Sequence, residues 1–449
     1  KVSYLLSSYD ISDLIGRAVL RLKITISNPR GRANVMRPHY ILIMVCRKIR
    51  SALSSVSSNF LLITTCTALT LPLTRMFFPY EPVYIRLLGA SSFIIGVLFA
   101  ISRLFEALIA VPGGYLSDVY GRRSVVIVGS LMTAGTRFLI ALSPNWKYYF
   151  LTRLLLSLTS FWNVAESAML YDSVRPERSG LYFSVYWTIT QLAGMLSPYI
   201  GGMILETKGL RGLRMVLILI ALGDTMRALL YAKFLRETLM IGNKGSELSF
   251  TSLFASFVNI FKDVLKILKK ASRPIKGFCL LSLINGFAWS MIMPFIVLYV
   301  LDVISLSPKE WGLISTIETI TILAFRVPGG IITDRYNKRL LLLIGSLWNL
   351  GYFIAFIFSK SFLQLLTIVI LRRIVITLTD PAWPALQIKL IPKEQRGRIF
   401  SILNVLVSIS GFIGSMVGGY LFDINPSFPF WLFIPFNVME FLVLYFFIR

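Results

Sequence analysis

Apolar residues fill this chain in blocks of about 20, each long enough to cross a hydrocarbon layer roughly 30 Å thick as a helix. Twelve blocks are legible, near residues 59–86, 91–112, 124–143, 148–171, 182–205 and 213–235, then 277–301, 311–330, 340–359, 362–388, 399–422 and 429–448. Pro72, Pro79, Pro198, Pro294 and Pro384 fall inside them. Neighbouring helices can satisfy the carbonyls a proline frees, so these positions predict bends.

A chain that is 56% hydrophobic and 15% charged over 449 residues lacks the polar surface to cover a soluble core, so lipid must be most of its solvent. The net charge of +25 would point to nucleic acid in a soluble protein, but its location excludes that reading. Basic residues gather in alternate connections: Arg122 and Arg123, Arg175 and Arg178, then within residues 262–276, 335–339 and 389–398. By the positive-inside rule these connections face the cytoplasm, as do both termini of a multi-pass protein of the cell membrane. Lys208, Arg211 and Arg214 are the exception. Cys46, Cys66 and Cys279 lack metal-ligand spacing, and His39 precedes the first span. No metal or cofactor site is indicated, and any buried proton carrier must be a carboxylate. The sequence has no P-loop, which argues against ATP-driven pumping and against an enzyme of that kind.

Two segments lie outside the blocks. Residues 1–57 fit nothing in the bundle and read as an N-terminal extension or the product of a misplaced start, with Met36 or Met44 as alternative beginnings. Residues 238–276 read as a cytoplasmic linker, in which Phe254, Phe257, Phe261, Val264 and Leu268 recur at helical spacing while Lys262, Lys266, Lys269 and Lys270 point elsewhere. That pattern suits an amphipathic helix on anionic lipid; the alternative is a solvated basic linker.

An internal repeat organises the rest. The string VPGGYLSDVYGRR at residues 111–123 returns as VPGGIITDRYNKRL at 327–340, a shift of 216 residues. Gly194, Gly201 and Gly202 correspond likewise to Gly411, Gly418 and Gly419, and Pro79 and Tyr84 to Pro294 and Tyr299. The repeat predicts an all-α membrane protein of twelve transmembrane helices in two pseudo-symmetric six-helix bundles, 58–237 and 277–449, with a substrate site between them.

With these residues in view, the sequence resembles the major facilitator superfamily over about residues 55–449. Gly114, Asp118, Gly121, Arg122 and Arg123 match that family's signature between helices two and three; Asp334, Lys338 and Arg339 match its looser second copy. Val119 and Asn337 depart from the pattern. The resemblance implies a cytoplasmic gate that latches the halves when the cavity opens outward, with Asp118 as a latch residue. Glu177, Arg178, Glu394 and Arg396 match the loops that complete the family's charge network. Arg122 and Arg123 also serve as simple topology anchors on the alternative reading.

Charges inside spanning helices are costly and invite functional hypotheses. Arg103 and Glu106, and Asp224 and Arg227, are spaced to pair on one helix face. In the fourth span Trp162 and Glu166 share a face beside Asn163, a cation or proton site unless Trp162 simply packs. Glu166 is the first candidate for proton coupling, followed by Glu106, Glu81 and Asp380. Family architecture places helices one, four, seven and ten around the cavity, which makes Arg75, Trp162, Asn163, Asn285, Trp289, Met293, Arg373, Trp383 and Gln387 its candidate lining. Such aromatic walls suit small amphiphilic organic molecules. Gly194, Ser197, Pro198, Gly201 and Gly202 resemble the antiporter signature of drug exporters, although the eleventh span repeats the spacing of the small residues without the proline. The expectation is a monomeric, proton-coupled exporter working by alternating access. The alternatives are a proton-coupled importer of a small nutrient or metabolite and a receptor or scaffold on a transporter fold.

Overall fold

In lipid an unpaired backbone N–H or C=O costs several kcal/mol, so a chain this apolar closes its hydrogen bonds inside helices. The computed structural model describes residues 57–174, 179–239 and 272–448, and among them every regular element is helical. The N-terminal extension, most of the linker with its expected interfacial helix, Glu177 and Arg178, and the side chain of Glu394 lie outside the described residues.

In the first half, α1 (Ser58–Phe77) passes through a 3-10 turn at Phe78–Tyr80 into α2 (Glu81–Leu87). α3 (Ser92–Tyr120) and α4 (Arg122–Ala141) follow. α5 (Trp146–Leu158) turns at Thr159–Phe161 into α6 (Trp162–Asp172), and α7 (Ser179–Ala193) and α8 (Ser197–Phe234) complete the half. In the second half, α9 (Arg273–Ile292) turns at Met293–Phe295 into α10 (Ile296–Asp302). α11 (Pro308–Arg335) and α12 (Lys338–Ile357) follow, then α13 (Phe362–Thr379) and α14 (Ala382–Leu390), α15 (Arg396–Ile424) and α16 (Phe428–Phe447).

Ten helical runs among the described residues are long and apolar enough to cross a membrane. One of them, Ser179–Phe234, is 56 residues long and covers the fifth and sixth predicted spans. Its direction reverses at Gly209, whose φ of +54° an L side chain rarely adopts. The predicted fourth span, α5 with α6, is not among the ten, because Arg153, Asn163 and Glu166 lower its mean hydropathy.

Breaks follow some of the predicted prolines. The turns at Pro79 and Pro294 interrupt corresponding helices, and Pro198 starts α8. Pro72 and Pro384 instead lie within helices, and the tenth span breaks at Asp380 and Pro381. The repeated signature is also less of a loop than its sequence suggests. Residues up to Tyr120 continue α3, and Gly121 alone, at φ +83°, makes the turn into α4. In the second copy Asn337 stands at this place and caps α12 through its side chain, which accepts from Arg339 N at 3.0 Å and Leu340 N at 3.4 Å. A good N-cap thus replaces a permissive glycine.

The two copies pack alike. Tyr84 donates its hydroxyl proton to the Ile140 carbonyl at 3.0 Å, and Tyr299 donates to that of Ile357 at 3.1 Å. Within the first half α8 packs on α4; within the second, α9 packs on α15 and α16, and α11 on α13. Between halves α3 lies against α15, and α8 against α11.

Candidate substrate pathway and gates

The helix ends away from the signature are joined across the halves. Arg86 grips Asp302 with both guanidinium nitrogens, one of them at 2.7 Å. The Asp423 carboxylate accepts from Ser92 N and Phe93 N, both at 2.9 Å, and so caps the first turn of α3 from the other half. Glu206 accepts from Lys309 N at 3.1 Å and does the same for α11. The Tyr80 hydroxyl is shared between the Pro198 and Pro308 carbonyls, at 2.8 and 3.0 Å. Two glycines permit this approach. A Cβ on Gly202 would lie 2.3 Å from Pro308 O, and one on Gly419 2.5 Å from Ser92 O. The junction reaches inward as far as Arg103, which donates to Ser290 Oγ across the halves. Arg103 stands eleven residues into α3, or about 16 Å at 1.5 Å per residue, near mid-membrane. This corrects the expected Arg103–Glu106 pair: same-helix spacing allowed it, but Arg103 points at α9, and Glu106 faces Arg153 at 3.9 Å instead.

At the signature end the described charges stay within their own halves. Arg122 pairs with Asp172. Arg123 N donates to Glu237 at 2.9 Å, and the Arg123 guanidinium to Ala232 O at 2.8 Å. Lys338 donates to Thr333 O at 3.3 Å, Arg339 to Tyr445 O, and Arg396 to Ile388 O at 2.6 Å and Ile391 O at 3.1 Å. Asp118 and Asp334 are exposed. No hydrogen bond or ion pair among these described residues crosses between halves.

The interior of the first half holds two linked polar groups. Glu81 is buried, accepts from the Tyr149 hydroxyl at 2.6 Å and lies 3.3 Å from Arg153 Nε. A cavity of about 70 Å³ separates it from Arg137, room for a couple of water molecules. Arg137 pairs with the fully buried Asp224 at 2.5 Å, and Asp224 also holds Arg227 at 2.9 Å, the same-face pair the sequence predicts. Trp162 is buried there. Its ring lies under the Arg227 guanidinium at 4.6 Å, and its indole N–H donates to Thr133 at 2.9 Å. Glu166 accepts from the Tyr231 hydroxyl at 2.5 Å. Asn163 is exposed, and Arg75 lies along Gly194, just past the end of α7.

In the second half, Asn285, Trp383 and Gln387 line one cavity of about 310 Å³ with Ser282 and Asn404. Trp289 faces Arg372 at 5.3 Å, which also lies over Tyr352 at 4.7 Å and donates to Asn349 at 2.9 Å. Arg373 pairs with Glu318, while Met293 and Asp380 are exposed. Sequence reasoning passed over Arg137, Glu318, Arg372 and Glu440. Each is a charge inside an apolar block, the signal that singled out Glu166. The helix-capping pair Glu206 and Asp423 sits at block ends, where charge is ordinary and carries no such signal.

The family model described as Major Facilitator Superfamily matches residues 62–272 and 278–449. The chain is 25% identical over 354 residues to a Lactococcus lactis protein named multi-drug resistance efflux pump PmrA homolog, covering 76% of this chain and 84% of that one. Its fold is similar to a bacterial homologue of the lysosomal transporter Spinster in an inward-facing and occupied conformation, at TM-score 0.68 and 13% identity over 86% of this chain and 95% of that one. It is also similar to the nucleoside transporter NupG, at TM-score 0.64 and 14% identity over 87% of this chain and 98% of that one. The repeat, the helical fold and the match over nearly all described residues lead to one conclusion: the chain belongs to the major facilitator superfamily of membrane transporters.

Proposed function

We propose that this transporter is a proton-coupled exporter of small amphiphilic organic molecules, built as twelve spanning helices in two six-helix bundles, 58–237 and 277–449, that rock about a central site. One observation carries the alternating-access part: the halves are bonded to each other at the end away from the signature, while the described signature-end charges Arg122, Arg123, Lys338, Arg339 and Arg396 bond within their own halves. With the basic connections in the cytoplasm, this is an inward-open state with its outer gate shut, and the signature residues around Asp118 form the latch of the opposite state. Export is favoured by the relatives named as efflux pumps and by the small-residue run of the fifth span. The proton path runs through the first half, where Glu106 faces Arg153, Arg153, Glu81 and Arg137 line the small cavity, and Asp224, Arg227 and Glu166 continue beyond it.

Purified protein in liposomes, given an imposed pH gradient and a panel of amphiphilic dyes, tests this reading. Dye moving uphill against the proton flow supports it. Dye moving with the protons would establish the importer instead, and dye binding without flux would establish a receptor. As a monomer, the protein should show these activities at one chain per vesicle.

A further inference from the structure

We propose that Glu440, on α16 behind the wall of the second-half cavity, is a further proton-exchanging acid of this transporter, one that gives up its proton when a cationic ligand enters. The inference rests on the proton-coupled reading for its consequence in transport, but not for its test.

Three features of the site converge. Glu440 lies within a spanning helix and, among the described residues, has no Lys or Arg within 4 Å. Glu81, Asp224 and Glu318 each have a guanidinium there. A carboxylate without a counter-cation in a membrane is costly and is retained where ionisation is used. Second, two amides hold its oxygens: Asn285 Nδ2 donates to Oε1 at 3.3 Å and Asn437 Nδ2 to Oε2 at 3.4 Å. Asn437 Oδ1, beside them, is buried and accepts nothing. An amide oxygen in that position wants a donor, and the O–H of a protonated Glu440 is one.

Third, Asn285 belongs also to the wall of the 310 Å³ cavity, with Trp383, Gln387 and Asn404. Whatever occupies the cavity is one side chain away from the acid. In the exchange the Glu440 O–H bond breaks, its electron pair stays on the carboxylate oxygen and the proton passes to water in the cavity. The two amide N–H groups remain to hold the anion. A positive ligand charge in the cavity favours that anion through Coulomb attraction. Ligand entry and proton departure are then one event, as exchange in opposite directions requires.

The test uses the full chain in lipid nanodiscs and tetraphenylphosphonium as the probe. Infrared difference spectra on adding the probe should show loss of a protonated-carboxyl stretch and gain of carboxylate bands, with a proton appearing in unbuffered medium. In Glu440→Gln, which keeps the shape and an acceptor oxygen for one of the two amides, that band change should vanish and the released proton with it, while the probe still binds. Asn285→Ala keeps the acid but removes its link to the cavity, and should shift the band and weaken its response. Unchanged band loss in Glu440→Gln, or no carboxyl response in the unmodified protein, overturns the proposal. Neither measurement needs a pH gradient or net transport, so failure of the exporter reading would leave it standing.

Discussion

Replacing Asp423 with Ala removes two 2.9 Å hydrogen bonds from the first turn of α3. Loss of a side-chain N-cap costs about 0.5–2 kcal/mol, and an ionised acceptor with two donors belongs in the upper part of that range. Cap and capped helix belong to opposite halves, so the loss falls on the closed state alone. A change of one or two kcal/mol alters a two-state ratio by roughly 5–30-fold. Glu206→Ala removes one bond, to Lys309 N, and should give the smaller shift. The two caps share no partner, so the double variant should show the sum of the two free energies. Spin labels on Leu87→Cys and Val303→Cys, both exposed and adjacent to the Arg86–Asp302 pair, report the distance across this end in a background lacking the native cysteines. Asp423→Ala should move population toward longer distances, and Asp423→Asn, whose single amide oxygen keeps one of the two bonds, should move it less. A distance distribution in the double Ala variant that matches the unmodified protein would refute the reasoning. So would opening by Asp423→Asn as large as that by Asp423→Ala, since charge rather than capping would then hold the gate.

Gly202→Leu should prevent closure of the same end, because even its Cβ would meet Pro308 O and the Tyr80 hydroxyl; the same labels should report a widened gap, and transport should stop. Glu81→Ala strands the Arg153 guanidinium, leaving Glu106 at 3.9 Å as its nearest acid. Removing one partner of a buried pair costs about 3–5 kcal/mol, so the melting temperature in detergent should fall clearly. Glu166→Gln should end uphill transport driven by a pH gradient while dye binding survives; if uphill movement persists, Glu81 and Asp380 are the next acids to replace.

The helical class and the ten long apolar runs were legible because lipid imposes one rule, apolar length, on a crossing segment. Pro79 and Pro294 marked real breaks because proline removes a donor wherever it stands. The break at Thr159–Phe161 has no proline and left no such mark. Partners were harder to read than elements. Trp162 and Glu166 share a helix, as their spacing says, yet what they touch lies some 65 residues away on α8: Arg227 for the ring and Tyr231 for the carboxylate. Arg103 and Glu106 were spaced for each other and found partners on other helices. Spacing states which contacts a helix permits, and packing against neighbours decides among them.

The contacts between halves had a sequence signal of another kind. Arg86 and Asp302 are one position off in the repeat: at the shift of 215 that relates Tyr84 to Tyr299, the counterpart of Arg86 is Leu301 and that of Leu87 is Asp302. Glu206 corresponds to Asp423, at the shift of 217 that also relates Gly201 to Gly418. Ser92 and Phe93 correspond to Pro308 and Lys309. In an isologous interface, if i touches j on the other side then j touches i in return. The two carboxylate caps obey that reciprocity: Glu206 on Lys309, and its counterpart Asp423 on Ser92 and Phe93. A repeat alignment therefore predicts the second contact once the first is known, although it does not say that either is made. What makes both is the absence of side chains at Gly202 and Gly419, which lets each helix start come within reach of a carboxylate from the opposite half. The glycines of the fifth and eleventh spans thus serve the same end of the molecule. Their shared spacing is explained by a gate that is built twice.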